Sequence, residues 1–256
     1  MTSSADTGRI LADIVEEAAA LILPLWRTVL TVDSKADMSP VTEADRQGEV
    51  LILKRLAERF PGVPVISEED ASEFGTPDAI GPRFFLVDPV DGTKAFVRGD
   101  PHFTVNIGLI ENNRPVAGAV NAPALGQTWF TTSAGAMRRG PTAPEAPVRV
   151  RRWPMGEAMA LISHTMRVET ADALAKQYEF HQRQPMDSSI KLCIIAQGDA
   201  DIYPRHGPTM EWDIAAGHAV LEAAGGTVRS PDGQTVAYGK ANEGFRNGWF
   251  VARGDG

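Results

Sequence analysis

The stretch "FFLVDPVDGTKAF", residues 84–96, changes character halfway along. Phe84 to Val87 form an apolar run of strand length, and then Asp88, Asp91, Gly92, Thr93 and Lys94 follow almost side by side. Crowded carboxylates repel one another and add nothing to an apolar core, so such a cluster persists where a positive charge sits among them. Pro89 stiffens the turn between Asp88 and Asp91, so that both carboxylates can face one point, and the intervening Val90 carbonyl offers a further oxygen. Gly92 and Thr93 stand where a helix can begin, with backbone N–H groups available to a phosphate.

The rest of the chain narrows what the positive charge can be. With 256 residues there is room for one large domain or two modest ones, and 43% apolar residues are enough for a sizeable core. A net charge of −8 argues against a general binder of nucleic acid or membrane surfaces, which need broad positive patches. A phosphate-bearing ligand must therefore meet local cations. The single cysteine, Cys193 in "SSIKLCIIAQG", permits no disulfide framework within one chain, and its apolar neighbours make it a core thiol. No segment has the length of a membrane span, and a cytoplasmic location is expected.

Apolar residues at Ile10, Leu11, Ile14, Val15, Ala18, Leu21, Ile22 and Leu25 have helical spacing, and Pro24 kinks or ends that helix. After the polar "KADMSPVTEAD", Thr42 and Asp45 mark the start of a second helix that runs to "RFPGVP". "VPVIS" is a short strand ending at Glu68, Glu69 and Asp70. "RFFLV", "FTVNIGLI", "PVAGAVNAP" and "QTWFTT" are strands, the middle two joined by a turn over residues 111–114. "RRGPTAPEAPVRVRRWP" is rich in proline and arginine and forms a seam, with "VRVRR" as a charge-protected edge strand. Beyond it come a strand at "EAMALISH", helices at "ETADALAKQYEF" and "DSSIKLCIIAQG", a strand at "ADIYP", and a last helix, "WDIAAGHAVLEAAGG". The mixture defines an α/β, layered α+β class.

Three places thus bring carboxylates to strand ends or helix starts: Glu68, the pair Asp88 and Asp91, and Asp213. Singly, each has a bland role as a turn or cap residue. Together they suit a hard divalent cation such as Mg²⁺, which binds a few carboxylates and keeps waters that a substrate phosphate can displace.

"DPVDGTKAF", "SEED", "VTEAD" and "WDIAAGHAVLEAAGG" resemble the signature segments of the inositol monophosphatase superfamily of Mg²⁺-dependent, lithium-sensitive phosphatases. The order and approximate spacing match along nearly the whole chain. More narrowly, "KADMSPVTEAD", "FTVNIGLI" and "SSIKLCIIAQGDADIYPRHGPTMEWDIAAGHAV" resemble the bacterial 3′(2′),5′-bisphosphate nucleotidases, which act on 3′-phosphoadenosine 5′-phosphate, a by-product of sulfate assimilation. The resemblance implies the αβαβα sugar-phosphatase sandwich. Its N-terminal α+β half, residues 1–140, carries most metal ligands, and its C-terminal α/β half, residues 141–256, carries the nucleotide contacts and the last metal-binding Asp. It implies two or three Mg²⁺ ions, held by Glu68, Asp88, the Val90 carbonyl, Asp91 and Asp213. Glu68 and Thr93 would hold the attacking water, with Asp45 orienting the Thr93 hydroxyl. Gly92 and Thr93 would hold the scissile phosphate, which Asp91 and Asp213 also face. One ion would lower the pKa of its bound water and a second would neutralise the leaving oxygen.

Among phosphate esters, only a bisphosphorylated nucleotide brings a second, remote phosphate that needs its own cation. Lys191 and Arg205 are the candidates, since Arg pairs with phosphate bidentately and Lys acts as a point charge. By resemblance Ser188, Lys191 and Arg205 contact the nucleotide, and His164 lies near the adenosine. His102, His206 and His218 have no ligand spacing. Ala95 stands where glutamate is usual in the nucleotidases, and "VNAP" replaces "VYAP". The expected activity is removal of the 3′-phosphate to give AMP and phosphate. The alternatives are an inositol- or histidinol-phosphate phosphatase, or a catalytically silent phosphate-binding scaffold. No nucleic-acid partner or integral membrane association is expected, and homodimerisation is left open.

Overall fold

The computed structural model describes residues 4–26, 33–34, 40–41, 43–142, 144–154 and 157–254, without the side chains of 4–6, 33–34 and 40–41. Thr42 and most of the polar stretch before it lie outside these residues. Seven helices are used below as α1 (Ser4–Ile22), α2 (Glu43–Arg59), α3 (Glu68–Phe74), α4 (Thr93–Arg98), α5 (Val168–Tyr178), α6 (Ile190–Ala196) and α7 (Glu211–Ala223).

The strand of the opening motif runs over Arg83–Asp91 and alternates sides with period two. Phe85 and Val87 join a buried cluster with Leu11, Val15 and Ile22 of α1 and Ile52 and Leu56 of α2. Phe84 and Leu86 point the other way, into a cluster with α6, α7 and the second sheet. Both faces are covered, which is why the strand is a continuous apolar run and not an alternating one. It pairs in parallel with Val65–Ser67 and antiparallel with Thr104–Glu111, inside a seven-stranded sheet that continues through Arg114–Ala122, Gln127–Thr132, Gly135–Arg139 and Ala146–Pro147.

The second sheet has five strands in the order Gln182–Pro185, Met159–Ile162, Ile202–Arg205, Phe250–Arg253, Thr227–Arg229. Its far face packs on α5 through Ala160, Ile162, Ile202, Val251 and Leu174. The layers are therefore α1/α2, first sheet, α6/α7, second sheet and α5, which is the expected αβαβα sandwich.

The central helix layer approaches the first sheet closely. A Cβ on Gly118 would lie 2.6 Å from the Ala216 carbonyl oxygen, and one on Gly108 would lie 2.9 Å from the Ala215 Cβ. Small residues on both surfaces thus seat α7 against the sheet. The N-terminal end of that helix carries Asp213.

Two expectations are corrected. Val148 to Arg152 form no edge strand. The segment is a strap between the sheets, where Val150 N–H donates to the Ala224 carbonyl at 3.1 Å and Arg151 makes a two-pronged pair with the buried Asp201 at 2.7 and 2.6 Å. A buried carboxylate needs such a partner more than the sheet needs another edge. Leu21, placed on the apolar stripe of α1, is exposed, because the adjoining Ile22 takes the inward position. Pro24 ends α1 as expected, in a 3₁₀ turn over Leu23–Leu25. Among the described residues, no helix is long and apolar enough to cross a membrane.

Candidate active site

The strand Arg83–Asp91 ends irregularly. Asp88 stands opposite Asn106 and Asp91 opposite Thr104, with a break in register between them. That break is the turn expected from Pro89, and it puts Asp88 and Asp91 at one end of the sheet. Asp88 is buried and its Oδ1 accepts the Val90 N–H at 3.1 Å. The Thr93 hydroxyl donates to the Val90 carbonyl at 3.1 Å. Gly92 has φ +91°, and a Cβ there would meet the His102 carbonyl oxygen at 3.1 Å and the Ser188 Cβ at 3.2 Å. The left-handed backbone and the close approach both call for glycine. α4 starts at Thr93, as the sequence predicts.

Glu68 heads α3, and Asp213 sits in the first turn of α7, where its Oδ2 accepts the Met210 N–H at 2.8 Å. Asp45 is buried in the first turn of α2. These carboxylates feel one another. Burial holds Asp88 well above the usual carboxylate range, reinforced by the charges of Glu68, Asp91, Asp213 and Asp45. Burial likewise raises Asp213 well above that range, with Asp91 and Glu68 adding to it. Asp91 is also raised by burial, but the charge of Lys191 and the Ser189 N–H oppose the rise.

An acidic cluster of this kind is unfavourable alone and favourable around a cation. Among the described residues no three His, Cys, Asp or Glu side chains stand close enough together to hold a metal ion by themselves. Magnesium does not require such a trio, since it binds through a few carboxylates, waters and substrate phosphate. The all-oxygen donor set and the mutual elevation of its carboxylates fit such an ion.

The facing residues come from the second half. Ser188 has φ +58°, a left-handed turn before α6. Its neighbour Ser189 clasps the acidic strand: its N–H donates to Asp91 Oδ2 and its hydroxyl donates to Asn106 Oδ1 at 2.8 Å and contacts Thr104 Oγ1 at 2.9 Å. Lys191 is not the solvated lysine that its helix position alone predicts. It is 3% exposed, with its ammonium on the carbonyls of Met186 (3.1 Å) and Ser188 and 4.7 Å from the Tyr203 ring centroid. Burial lowers its pKa to about 8. Arg205 ends strand Ile202–Arg205; its Nη2 donates to the Pro208 carbonyl at 3.1 Å, while its Nε is buried without a hydrogen-bond partner. His164 is 3.3 Å from Asp187, which also pairs with Arg98 of α4 at 2.6 Å.

The structure thus brings the charges of Asp45, Glu68, Asp88, Asp91 and Asp213 together, and those of Lys191 and Arg205 reach Asp91. The three histidines without ligand spacing have separate partners: His102 pairs with Asp100 at 2.7 Å, His206 stacks on Trp249, and His218 is buried against Tyr238. Sequence reasoning missed Ser189 and Glu49. Ser189 reads as half of a polar pair in "DSSIK". Glu49, four residues after Asp45 and so on the same face of α2, accepts the N–H groups of Glu69 and Asp70 at 3.1 and 3.3 Å. That spacing was the available signal.

The five-layered sandwich and the acidic strand end define a class of phosphatases. The model of the inositol monophosphatase family matches residues 7–251, and the chain belongs to that family. Within it, the chain is 39% identical over 217 residues to the 3′(2′),5′-bisphosphate nucleotidase CysQ of Salmonella typhimurium, covering 84% of this chain and 86% of the relative. It is also 39% identical to the Escherichia coli K12 protein of the same name over 225 residues, 86% of this chain and 88% of that one. The crystal structure of CysQ from Bacteroides thetaiotaomicron superposes with a TM-score of 0.78 at 30% identity, over 98% of each chain. An inositol monophosphatase from Zymomonas mobilis gives 0.79 at 25% identity, covering 100% of this chain and 95% of that one.

Proposed function

We propose that this protein is a Mg²⁺-dependent 3′(2′),5′-bisphosphate nucleotidase that removes the 3′-phosphate of 3′-phosphoadenosine 5′-phosphate, giving AMP and phosphate. The observation that carries this reading is the meeting of two opposite fields. The acidic cluster at Asp88 and Asp91 faces Lys191 and Arg205, whose charges reach Asp91. An ester with one phosphate needs only the first field, whereas a nucleotide with a second phosphate uses both. The likeness to the nucleotidases over most of the chain supports it.

Glu68, Asp88, the Val90 carbonyl, Asp91 and Asp213 would hold the two or three Mg²⁺ ions, whose chemistry when bound would be to lower the pKa of a water and to neutralise charge on the leaving oxygen. The chain supplies position. Gly92 and Thr93 offer backbone N–H groups to the scissile phosphate at the start of α4. The Thr93 hydroxyl gives its proton to a carbonyl in this structure, which leaves its lone pairs free to accept from the attacking water. Asp45 is the alternative acceptor for that proton when the Val90 carbonyl is engaged in ligation. Glu68 takes the proton of the water.

On the other side Arg205 pairs with the 5′-phosphate through the part of its guanidinium that Pro208 does not occupy. Ser188 and His164 contact the nucleoside. Lys191 acts from beneath the loop by its charge and by holding the Ser188 turn in place.

The test is phosphate release with Mg²⁺ from three substrates: 3′-phosphoadenosine 5′-phosphate, inositol 1-phosphate and histidinol phosphate. The nucleotide is expected to have the largest kcat/KM. A larger value for either other ester overturns the substrate reading and leaves the reaction class standing.

A further inference from the structure

We infer that Glu49 is a positioning residue that sets the direction of the Glu68 carboxylate from α2; the inference rests on the metal-assisted reading above. α3 begins at Glu68, directly after strand Val65–Ser67, and its first backbone N–H groups have no partner within the helix. The residue in the capping position is Ser67, a type that ordinarily supplies such a partner, yet its side chain makes no capping bond. Glu49 does so from another helix. It is 6% exposed, and its Oε1 accepts the N–H of Glu69 at 3.1 Å and that of Asp70 at 3.3 Å.

This substitution of caps has a geometric consequence. A serine cap would tie α3 only to the strand before it. Glu49 ties the first turn of α3 to α2, on the face that also carries Asp45 one turn earlier. Glu68 is the residue immediately before the two anchored amides, so its backbone is fixed in the frame of Asp45 and of the strand Arg83–Asp91, on which α2 packs. Glu68, which holds the water, and Asp45, which orients the Thr93 hydroxyl, are thereby held in one frame by α2.

The placement is also costly unless it serves this purpose. Glu49 puts a buried carboxylate beside Glu69 and Asp70, both acidic, although a neutral hydroxyl already stands at the capping site. A carboxylate accepts more strongly than a hydroxyl and can hold two amides on one oxygen. It buys rigidity where a stray ligand angle would weaken the ion's hold.

The experiment compares wild type, Glu49→Gln and Glu49→Ala. Mg²⁺ binding is read by calorimetry in the absence of substrate, kcat and KM by phosphate release, and folding by thermal melting. Glu49→Ala is expected to weaken Mg²⁺ binding and lower kcat by about ten- to a hundred-fold, the range for residues that orient metal ligands, with the nucleotide KM nearly unchanged. Glu49→Gln keeps a carbonyl oxygen in place and is expected to recover most of both. Three results overturn the inference: normal Mg²⁺ affinity and kcat in a folded Glu49→Ala protein, a lowered melting temperature as its only defect, or a Glu49→Gln protein no better than Glu49→Ala. A wild-type enzyme that binds no Mg²⁺ would instead overturn the metal-assisted reading itself, and one that prefers inositol 1-phosphate would leave the Glu49 comparison intact.

Discussion

At the end of strand Arg83–Asp91, Asp88 has Glu68, Asp91, Asp213 and Asp45 for electrostatic neighbours, all of its own sign. On the facing helix, Lys191 has its ammonium on two carbonyls and above the ring of Tyr203. The first region is electrostatically incomplete within the chain, and the second is nearly self-sufficient. The difference separates chemistry from selection. Carboxylates left unneutralised call for a cation, and on the proposed reading that cation would serve any phosphate ester brought to it. On the facing side, among the described residues, the Arg205 Nε is a buried donor without a hydrogen-bond partner, which is why the proposed reading gives Arg205 the remote phosphate.

The largest expected effect breaks the acidic side. In excess chelator, turnover of every substrate is expected to vanish and to return with Mg²⁺. Ca²⁺ should inhibit, because its looser, higher-coordinate geometry misplaces the water. Phosphate release measures this, and full turnover in chelator would remove the metal from the account. Asp88→Asn sharpens the point through stability. The folded-state pKa of Asp88 is raised, so its ionised form is penalised by folding; the metal-free protein loses stability as pH rises through that raised value. Asp88→Asn should abolish turnover, yet melt above wild type at neutral pH when both are metal-free. A lower melting temperature would contradict the mutual repulsion.

Next in size is the water. Thr93→Ala and Asp45→Asn are each expected to lower kcat by ~10²–10⁴-fold, the range for a positioned proton-transfer group. KM should change much less. Loss of Mg²⁺ binding with normal residual kcat would show that these residues serve the ion and not the water.

Much of the acidic side was legible because its determinants are local. Asp88, Pro89, Asp91, Gly92 and Thr93 are neighbours in sequence, and the chemistry of a proline turn and a glycine before a helix does not depend on what packs above it. The layers were legible for a related reason: the apolar runs of the central strands and the 3.6-residue spacing of α1 state which surfaces are covered. The facing side was less so. Nothing in "SSIK" says that Ser189 reaches back to Asp91 and Asn106, or that Lys191 is buried, because both facts depend on α6 being pressed between two sheets. "VRVRR" has strand periodicity, but the demand of the buried Asp201 for Arg151 prevails. Glu49 carries one signal, its spacing of four residues from Asp45, but its bonds to Glu69 and Asp70 depend on α3 being placed against it.

Smaller effects probe that facing side. Arg205→Ala should lower kcat/KM for the nucleotide by roughly ten- to a hundred-fold, the value of a charged hydrogen bond of about 1.5–3 kcal/mol. Turnover of inositol 1-phosphate should barely move. A parallel fall on both substrates would place Arg205 in the general machinery.

The smallest effect concerns Lys191. Its folded-state pKa is lowered to about 8, so folding penalises its charged form. The unfolded chain holds the proton more tightly, and this group therefore adds stability as pH rises from about 8 towards the ordinary lysine value. Lys191→Met should exceed wild type in melting temperature most clearly below pH 8, with the gap narrowing above it. A gap independent of pH would mean that burial does not lower the pKa of this lysine.

The division of labour between the two regions is tested most directly by which phosphate leaves. 3′-Phosphoadenosine 5′-phosphate incubated with the Mg²⁺-loaded enzyme can be followed by phosphorus NMR. If the acidic strand end cuts while Arg205 retains the remote phosphate, AMP and inorganic phosphate are the only products. Accumulation of adenosine 3′-phosphate would show that the 5′-phosphate had entered the acidic site, and would contradict the account.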